Sequence, residues 1–485
     1  MSRLTSPSEL RKIRADLRPL LRFVKHALGI SPSAANTEKA RPFLSRFSPL
    51  ALGLALLAAT RSQGARIYFT DQPADAAGSV ISVALDGSAQ TNLLTIAGAP
   101  DVRGIAFHHA SGRIYFLDNG TAKRIYSLLP DGSGLQEVLP VSPTLLDSDV
   151  EIDEAAGKLY WAENNPTSTG NGFIQRANLD GSGVEPVVTT APGTTTAPYF
   201  IFLDPPAGYV YWGVVSSGNG PSSYRRATLT GVVDTNFLIT TPTRTRDLAI
   251  DPTADTMYWC DRQLGMILKR ALSGGAIGLV ITNLNAPHGL ALDLEAGKVY
   301  WADTGARGSG PFNTSARRIA RCNFDGTEYE NLSSPAANSE PWDLALDTRS
   351  PTYDDWRTRF FSTNSPAAAA LDDADNDGAP NLLEYALGSQ PRRAASVPRI
   401  VAEGTGMRFS RRTGANLTYR AEVSTDLTTW HYNGDPSGLV WTVETSVTPL
   451  NSEFDSVLVS VGPALAGATQ VFYRLYVSKP LIPEN

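Results

Sequence analysis

Five oxygen-bearing side chains lie at a spacing suited to a cation in the last quarter of this 485-residue chain. Asp373, Asp375 and Asp377 are two apart, Gly378 follows, and Asn381 and Glu384 complete the set. Counted from Asp373, these are positions 1, 3, 5, 6, 9 and 12 of a twelve-residue loop. Such a loop offers carboxylates to a hard cation, turns sharply at its glycine and closes with an acid able to bind through both oxygens. Oxygen ligands alone favour Ca²⁺ over transition metals. The expected role is structural, bracing the residues on either side. The alternative is a solvated acidic linker.

A second set is defined by its distance from a recurring tetrapeptide of the LALD kind. Five residues before the end of each copy stand Arg103, Ser148, Tyr199, Arg246, His288 and Trp342. The next positions are Gly104, Asp149, Phe200, Asp247, Gly289 and Asp343. Arginine, tyrosine and tryptophan are the residues most enriched in binding hot spots. Alternating with carboxylates, they suit a peptide loop or a saccharide, and Trp342, Tyr199 and Arg246 are the expected contacts. Asp149, Asp247 and Asp343 are also the natural candidates for a metal-dependent hydrolase. The deeper strand positions taken with them, Val150, Ile201, Leu248, Leu290 and Leu344, add no ligand. No nucleophile–base or histidine–carboxylate pair is placed by spacing, so an enzyme is not expected. Each of these residues has a plainer reading as a hydrated channel mouth with internal salt bridges.

The elements that position this ring are repeats. Aromatic pairs recur at Tyr68-Phe69, Tyr115-Phe116, Tyr160-Trp161, Tyr211-Trp212, Tyr258-Trp259 and Tyr300-Trp301, with gaps of 47, 45, 51, 47 and 42 residues. Seven residues before five of these tyrosines stand His108, Asp153, Asp204, Asp251 and Asp293, the ends of LALD-like strands. A third strand runs into a turn such as LDG, where both central residues can adopt positive φ, and a short fourth strand follows. Six four-stranded units near this period predict a β-propeller. The first unit lacks its leading strand, and LALD at 344–347 has no aromatic pair after it. Pairing the two closes the ring and removes an exposed edge.

Over about residues 66–350 these motifs resemble the YWTD propeller, the low-density-lipoprotein receptor class B repeat. Departures are YWGV at 211–214, YWCD at 258–261 and phenylalanine for tryptophan in the first two units. The resemblance implies a binding module. The repeated Tyr and Trp are expected to pack between blades, and the repeated Asp to accept hydrogen bonds in turns. With the four strands of a unit lettered A to D in chain order, the long B–C and D–A loops at 163–172, 189–198, 214–223 and 303–315 share one face, the expected binding face.

The rest of the chain is read from composition. A net charge of −6 and pI near 5.5 argue against nucleic acid. Cys260 and Cys322 form at most one bridge and are otherwise buried thiols. Basic residues followed by an apolar run at 47–59, too short to span a membrane, and the small residues Ser62 and Gly64 predict a leader over 1–64 that exports the protein. Residues 351–395 are a linker holding the acidic loop 373–384, which resembles the DxDxDG loops of dockerin and thrombospondin type 3 repeats and a segment of exported bacterial proteins. Alternation over 396–485 predicts a β-sandwich. The whole is expected to be all-β: a six-bladed YWTD β-propeller with a C-terminal β-sandwich. It would be secreted or at the cell surface, without a transmembrane span when mature, and would bind an extracellular protein or polysaccharide. The alternatives are a lactonase-like hydrolase and a purely structural surface protein.

Overall fold

The computed structural model describes residues 65–479, apart from 74–76, 97–100, 121–122, 141–145, 165–170, 192–196, 216–220, 306–316, 334–338, 351, 363–364, 399 and 452. The expected leader and much of the four long loops therefore lie outside the described residues.

The YW pair explains the architecture. Successive side chains of a strand point to opposite faces, so the two aromatics of one blade enter two different cores. Tyr160 lies in the core between the third and fourth blades with Trp212, and Trp161 lies between the second and third with Tyr115. The pattern holds around the ring: Tyr211 meets Trp259, Tyr258 meets Trp301, Tyr300 meets Phe69, and Tyr68 meets Phe116. Each inter-blade core thus receives the tyrosine of one pair and the tryptophan or phenylalanine of the neighbouring pair. Phenylalanine replaces tryptophan in the first two blades without breaking this pairing.

Six antiparallel four-stranded sheets result. Their inner strands are Val102–His108, Leu146–Asp153, Phe200–Asp204, Thr245–Asp251, Pro287–Asp293 and Pro341–Asp347. The last of these pairs with Arg66–Asp71, with Ile67 opposite Leu346 and Phe69 opposite Leu344. The chain end thus supplies the inner strand of the first blade, as the repeat count predicts. Blades are also locked from outside. Gly181 turns at φ 84°, and a Cβ there would lie 2.0 Å from the Val138 carbonyl oxygen of the preceding blade. The glycine of this LDG turn is required by its backbone and by its neighbour alike.

The repeated acids mostly hold turns. Asp153, Asp204 and Asp293 accept the amides of Ala156, Ala207 and Ala296 at 3.0, 3.2 and 3.0 Å. Cys260 and Cys322 are free and buried in one core, where burial pushes the Cys322 thiol up to about 12.

Beyond the propeller, Thr352 caps the helix Tyr353–Phe360 with a capping box. Its Arg359 makes a forked, buried ion pair to Asp293 at 2.5 and 2.7 Å. Arg321, wholly buried in the sixth blade, donates to the carbonyls of Thr358 and Phe361. A second helix, Asn381–Leu387, ends at Gly388 with φ 82°. Tyr385 of this helix joins the aromatic cluster of Tyr353, Trp356 and Phe360. Its Ala386 and Leu387 join a different core with Met407, Phe409, Val457 and Val459. That core lies between a four-stranded sheet and the strand pair Thr418–Ser424 and Phe472–Ser478, which adds Tyr419, Ala421, Tyr473 and Leu475. No helix among the described residues is long and apolar enough to cross a membrane.

Removing Arg359 leaves Asp293 charged, buried and uncompensated. Arg359→Ala is expected to cost about 3–5 kcal/mol in urea unfolding. The double change Arg359→Met with Asp293→Asn is expected to recover most of that loss, because both charges leave together.

Candidate functional site

Seen along the propeller axis, the inner strands build three layers. The first lies at the mouth on the B–C and D–A loop side and contains the predicted ring. Arg103 stacks over Trp342 with its guanidinium carbon 5.2 Å from the ring centroid, and forks onto Asp101 at 2.6 and 2.8 Å. Trp342 stacks on His288 at 3.9 Å. The His288 Nε2 accepts from Arg246 Nε at 3.1 Å, and Arg246 lies 5.0 Å from the centroid of Tyr199. The ring residues thus converge, but they satisfy one another. Arg246 is 2 % exposed and His288 5 %, whereas Arg103, Tyr199 and Trp342 keep partly exposed faces. The side chain of Ser148 lies outside the described residues. The void beneath this plug is about 10 Å³, room for one water at most.

Arg246 is the electrostatic anomaly of the mouth. Among the described residues it has no carboxylate partner; its other bond goes to the Thr245 carbonyl at 3.1 Å. Burial, then the charges of Arg244, Arg262 and Arg103, push it down to about 9. It is still cationic at neutral pH. Burial and the same arginines, Arg246 first among them, drive His288 well below the ordinary histidine range, so its imidazole is neutral and free to accept.

The second layer holds Asp149, Asp247 and Asp343, on alternate blades. The sequence reading offered them as ligand contacts; the geometry occupies them otherwise. Each caps its own strand and reaches across to the next blade. Asp149 accepts from Val150 and Ile201 at 2.8 and 2.7 Å. Asp247 accepts from Leu248 and Leu290, both at 2.7 Å, and Asp343 from Leu344 and Ile105 at 2.8 and 3.0 Å. All six carboxylate oxygens accept amides, three within their own strands and three across blade junctions. The other blades carry Gly104, Phe200 and Gly289 at this height. A Cβ on Gly104 or Gly289 would come within 2.6 Å of the Asp149 or Asp343 Cα. The Phe200 ring lies where a Gly213 side chain would stand, 1.9 Å from an added Cβ. This explains YWGV: the fourth blade gave up its usual side chain to admit Phe200. Burial and mutual repulsion push Asp149 and Asp247 well up, and burial raises Asp343 to about 7. Packed this closely, the three titrate as a coupled set.

The third layer is lined by a different register from the one expected. Val150, Ile201 and Leu248 turn into inter-blade cores, while Leu290 and Leu344 also reach the channel wall. The channel-facing positions are one residue further along: Ala106, Glu151, Phe202, Ala249, Ala291 and Ala345. They surround a cavity of about 280 Å³ that runs to the A–B turns at His109, Glu154 and Leu294, on the short-turn side. Glu151 was missed by sequence reasoning. Its signal was present: aligned on the tetrapeptide, it is the acid where four of the other five strands have alanine. Burial, then Asp343, pushes its carboxyl up to about 8.

The acidic loop forms a separate candidate centre. Oxygens of Asp373, Asp375 and Asp377 lie within 4.8 Å of one another. The Gly378 and Asp377 amides point back to Asp373 at 2.9 and 3.2 Å. Asn381 donates to the carbonyls of Ala367 and Ala369, both at 2.8 Å, which leaves its carbonyl oxygen unpaired. Asp375 Oδ2, Asp377 Oδ2 and Glu384 Oε2 are likewise buried without a hydrogen bond. Glu384 is 0 % exposed, and burial followed by the charges of Asp375, Asp377 and Asp373 pushes it up to about 8. Orphaned buried oxygens of this kind are costly, and a hard cation satisfies all of them at once.

No family model matches the chain. Over 249 residues it is 26% identical to a low-density lipoprotein receptor-related protein 1 of Pyricularia oryzae, covering 44% of this chain and 77% of that protein. Over 149 residues it is 29% identical to a human low-density lipoprotein receptor-related protein 5-like protein, covering 30% of this chain and 54% of that one. The match thus spans little more than half of the human relative. A chain from the crystal structure of a nidogen/laminin complex aligns with TM-score 0.46 at 14% identity, over 58% of this chain and 98% of that one. The fold itself is an all-β propeller of six four-stranded blades.

Two outcomes follow for the channel. Asp247→Ala orphans the amides of Leu248 and Leu290 and is expected to cost about 2–6 kcal/mol in chemical unfolding, at roughly 1–3 kcal/mol per amide. The raised carboxyl of Glu151 stabilises most when protonated. That contribution is full below the ordinary glutamate range and is lost as pH rises through about 8. Melting curves are therefore expected to show Glu151→Gln gaining on wild type between about pH 5 and pH 8.5.

Proposed function

We propose that the protein is an exported binding module whose B–C/D–A loop face takes an acidic segment of an extracellular protein. The single observation that carries this reading is the plug: a buried, carboxylate-free Arg246 beneath the partly exposed Arg103, Tyr199 and Trp342. An aspartate or glutamate of a partner supplies the missing counter-charge. The aromatic faces, already locked by stacking, take its neighbouring side chains at little entropic cost. Similarity to receptor-related proteins supports the module in general terms. The cluster of Arg103, Arg244, Arg246 and Arg262 favours an acidic peptide over an uncharged polysaccharide. The lactone-hydrolase alternative rests on three converging aspartates, and their oxygens already accept backbone amides.

The full chain, probed against arrays of acidic peptides, neutral peptides and polysaccharides, is expected to retain acidic peptides. Trp342→Ala and Arg103→Ala are expected to weaken them at least about tenfold, as hot-spot truncation does, with binding falling as salt rises. Unchanged binding in both variants sinks the assignment of the face. Retention of polysaccharide alone sinks the ligand class.

We also propose that the loop 373–384 holds Ca²⁺ through Asp373, Asp375, Asp377, Asn381 and Glu384. The ion would neutralise the acids and tie down the helix Asn381–Leu387, which joins the aromatic cluster to the two-sheet unit. Saturating Ca²⁺ is expected to add about 2.7 kcal/mol of stability at a hundredfold excess over its dissociation constant. Glu384→Gln is expected to lose most of that gain. Equal melting temperatures with Ca²⁺ and with chelator would refute the site.

A further inference from the structure

The axial cavity on the short-turn side is built for one kind of guest. One ring of its wall consists of four alanines, Phe202 and Glu151. The small side chains leave space, and the rest of the wall is mostly aliphatic, with Phe107, His109 and Glu154 toward the outer end. The described residues offer the Glu151 carboxylate only the neighbouring Ile152 amide. A carboxylate facing an apolar channel without a cation is normally avoided. Here no residue of the ring supplies one. At the outer end His109 bonds Glu154 at 3.1 Å with both well exposed, and the Arg349 guanidinium, 4.9 Å from the Phe107 ring, is forked onto Asp347, so the mouth adds no uncompensated positive charge. Beyond the inner end lies the ring of Asp149, Asp247 and Asp343, whose field reaches Glu151.

We propose that this cavity binds a protonated primary amine carried on an unbranched aliphatic chain, with the ammonium on Glu151 and the methylenes against the alanine and leucine walls. The site lies on the side of the propeller away from the aromatic plug and does not depend on the function assigned to that plug. A lysine side chain has the chemistry that this lining suits, an apolar stem with a charged tip. A cavity near the lower end of the usual ligand range suits such a small guest. The guest comes either as a lysine side chain of another protein or as a free alkylamine, and both present the same chemistry. Binding strengthens as pH rises toward the point where Glu151 gives up its proton, and fades when the amine loses its own.

The test uses the full chain and calorimetric titration with n-hexylammonium and 1-hexanol, at about pH 6 and pH 8.5. The expected result is hexylammonium binding at the higher pH, at least about tenfold tighter than hexanol, weakened at least about tenfold by Glu151→Gln and by acidification. Ala291→Phe, which fills the wall and leaves Glu151 in place, is expected to abolish it. Melting curves check that both variants fold; Glu151→Gln removes an unpaired acid and is expected to melt no lower than wild type. A glycine-flanked lysine peptide that displaces hexylammonium points to a protein side chain as the source. A peptide that fails to displace bound hexylammonium points to a free amine, and either supports the site. Absence of hexylammonium binding to the wild type overturns the proposal and leaves a hydrated channel. So does equal affinity for amine and alcohol, or unchanged affinity in Glu151→Gln.

Discussion

Everything in the propeller depends on two adjacent aromatic residues being unable to point the same way. A strand sends neighbouring side chains to opposite faces. A Tyr-Trp pair in the second strand of a blade is therefore a two-sided connector. With six pairs in a ring, each junction receives one tyrosine and one tryptophan or phenylalanine. No blade has a complete core of its own. The sheets are stable because the ring closes, and it closes because the last inner strand lies against the first blade.

The inner strands then meet a second constraint. Six strand edges converge on an axis where backbone amides must find partners or stay unsatisfied. Three aspartates on alternate blades serve that need, and the intervening positions must stay out of the way. Two are glycine. The third is Phe200, whose ring is accommodated only because Gly213 has no side chain. The cost is a cluster of repelling acids at the core. Their raised carboxyl groups and the tightly packed plug above them are consequences of the same arrangement. The two ends of the channel therefore differ in chemistry. One is aromatic and cationic, and the other sets Glu151 and Glu154 among small and aliphatic residues.

Much of this was legible in the residues. The aromatic pairs, the tetrapeptide seven residues upstream and the LDG turns yield six units, strand order and closure, because each reports local backbone geometry or period-two alternation. The acidic loop was legible because its acids fall within twelve consecutive residues. The mouth residues were found as well, since counting from the tetrapeptide aligns all six strands. Their mutual stacking was not, because whether Arg246 meets a ligand or His288 depends on side chains 42 residues apart in sequence. The deep channel was read one residue out of step. Val150, Ile201 and Leu248 share the apolar character of a lining, and only the twist of each inner strand shows that they face the neighbouring blade.

The sequence by itself determined the repeat, the count of blades, the closing strand and the spacing of the acidic loop, for these follow from interactions between residues close in the chain or from a periodic pattern. Only the tertiary structure decided which acids are free. Asp149, Asp247 and Asp343 look like ligands in one dimension and are consumed by amides of the next blade in three. Glu151 looks like a stray substitution and is the acid of the cavity-lining ring. The physical reason is that a carboxylate's chemistry is set by the donors within hydrogen-bond reach and by its burial, and both come from strands brought together across the axis.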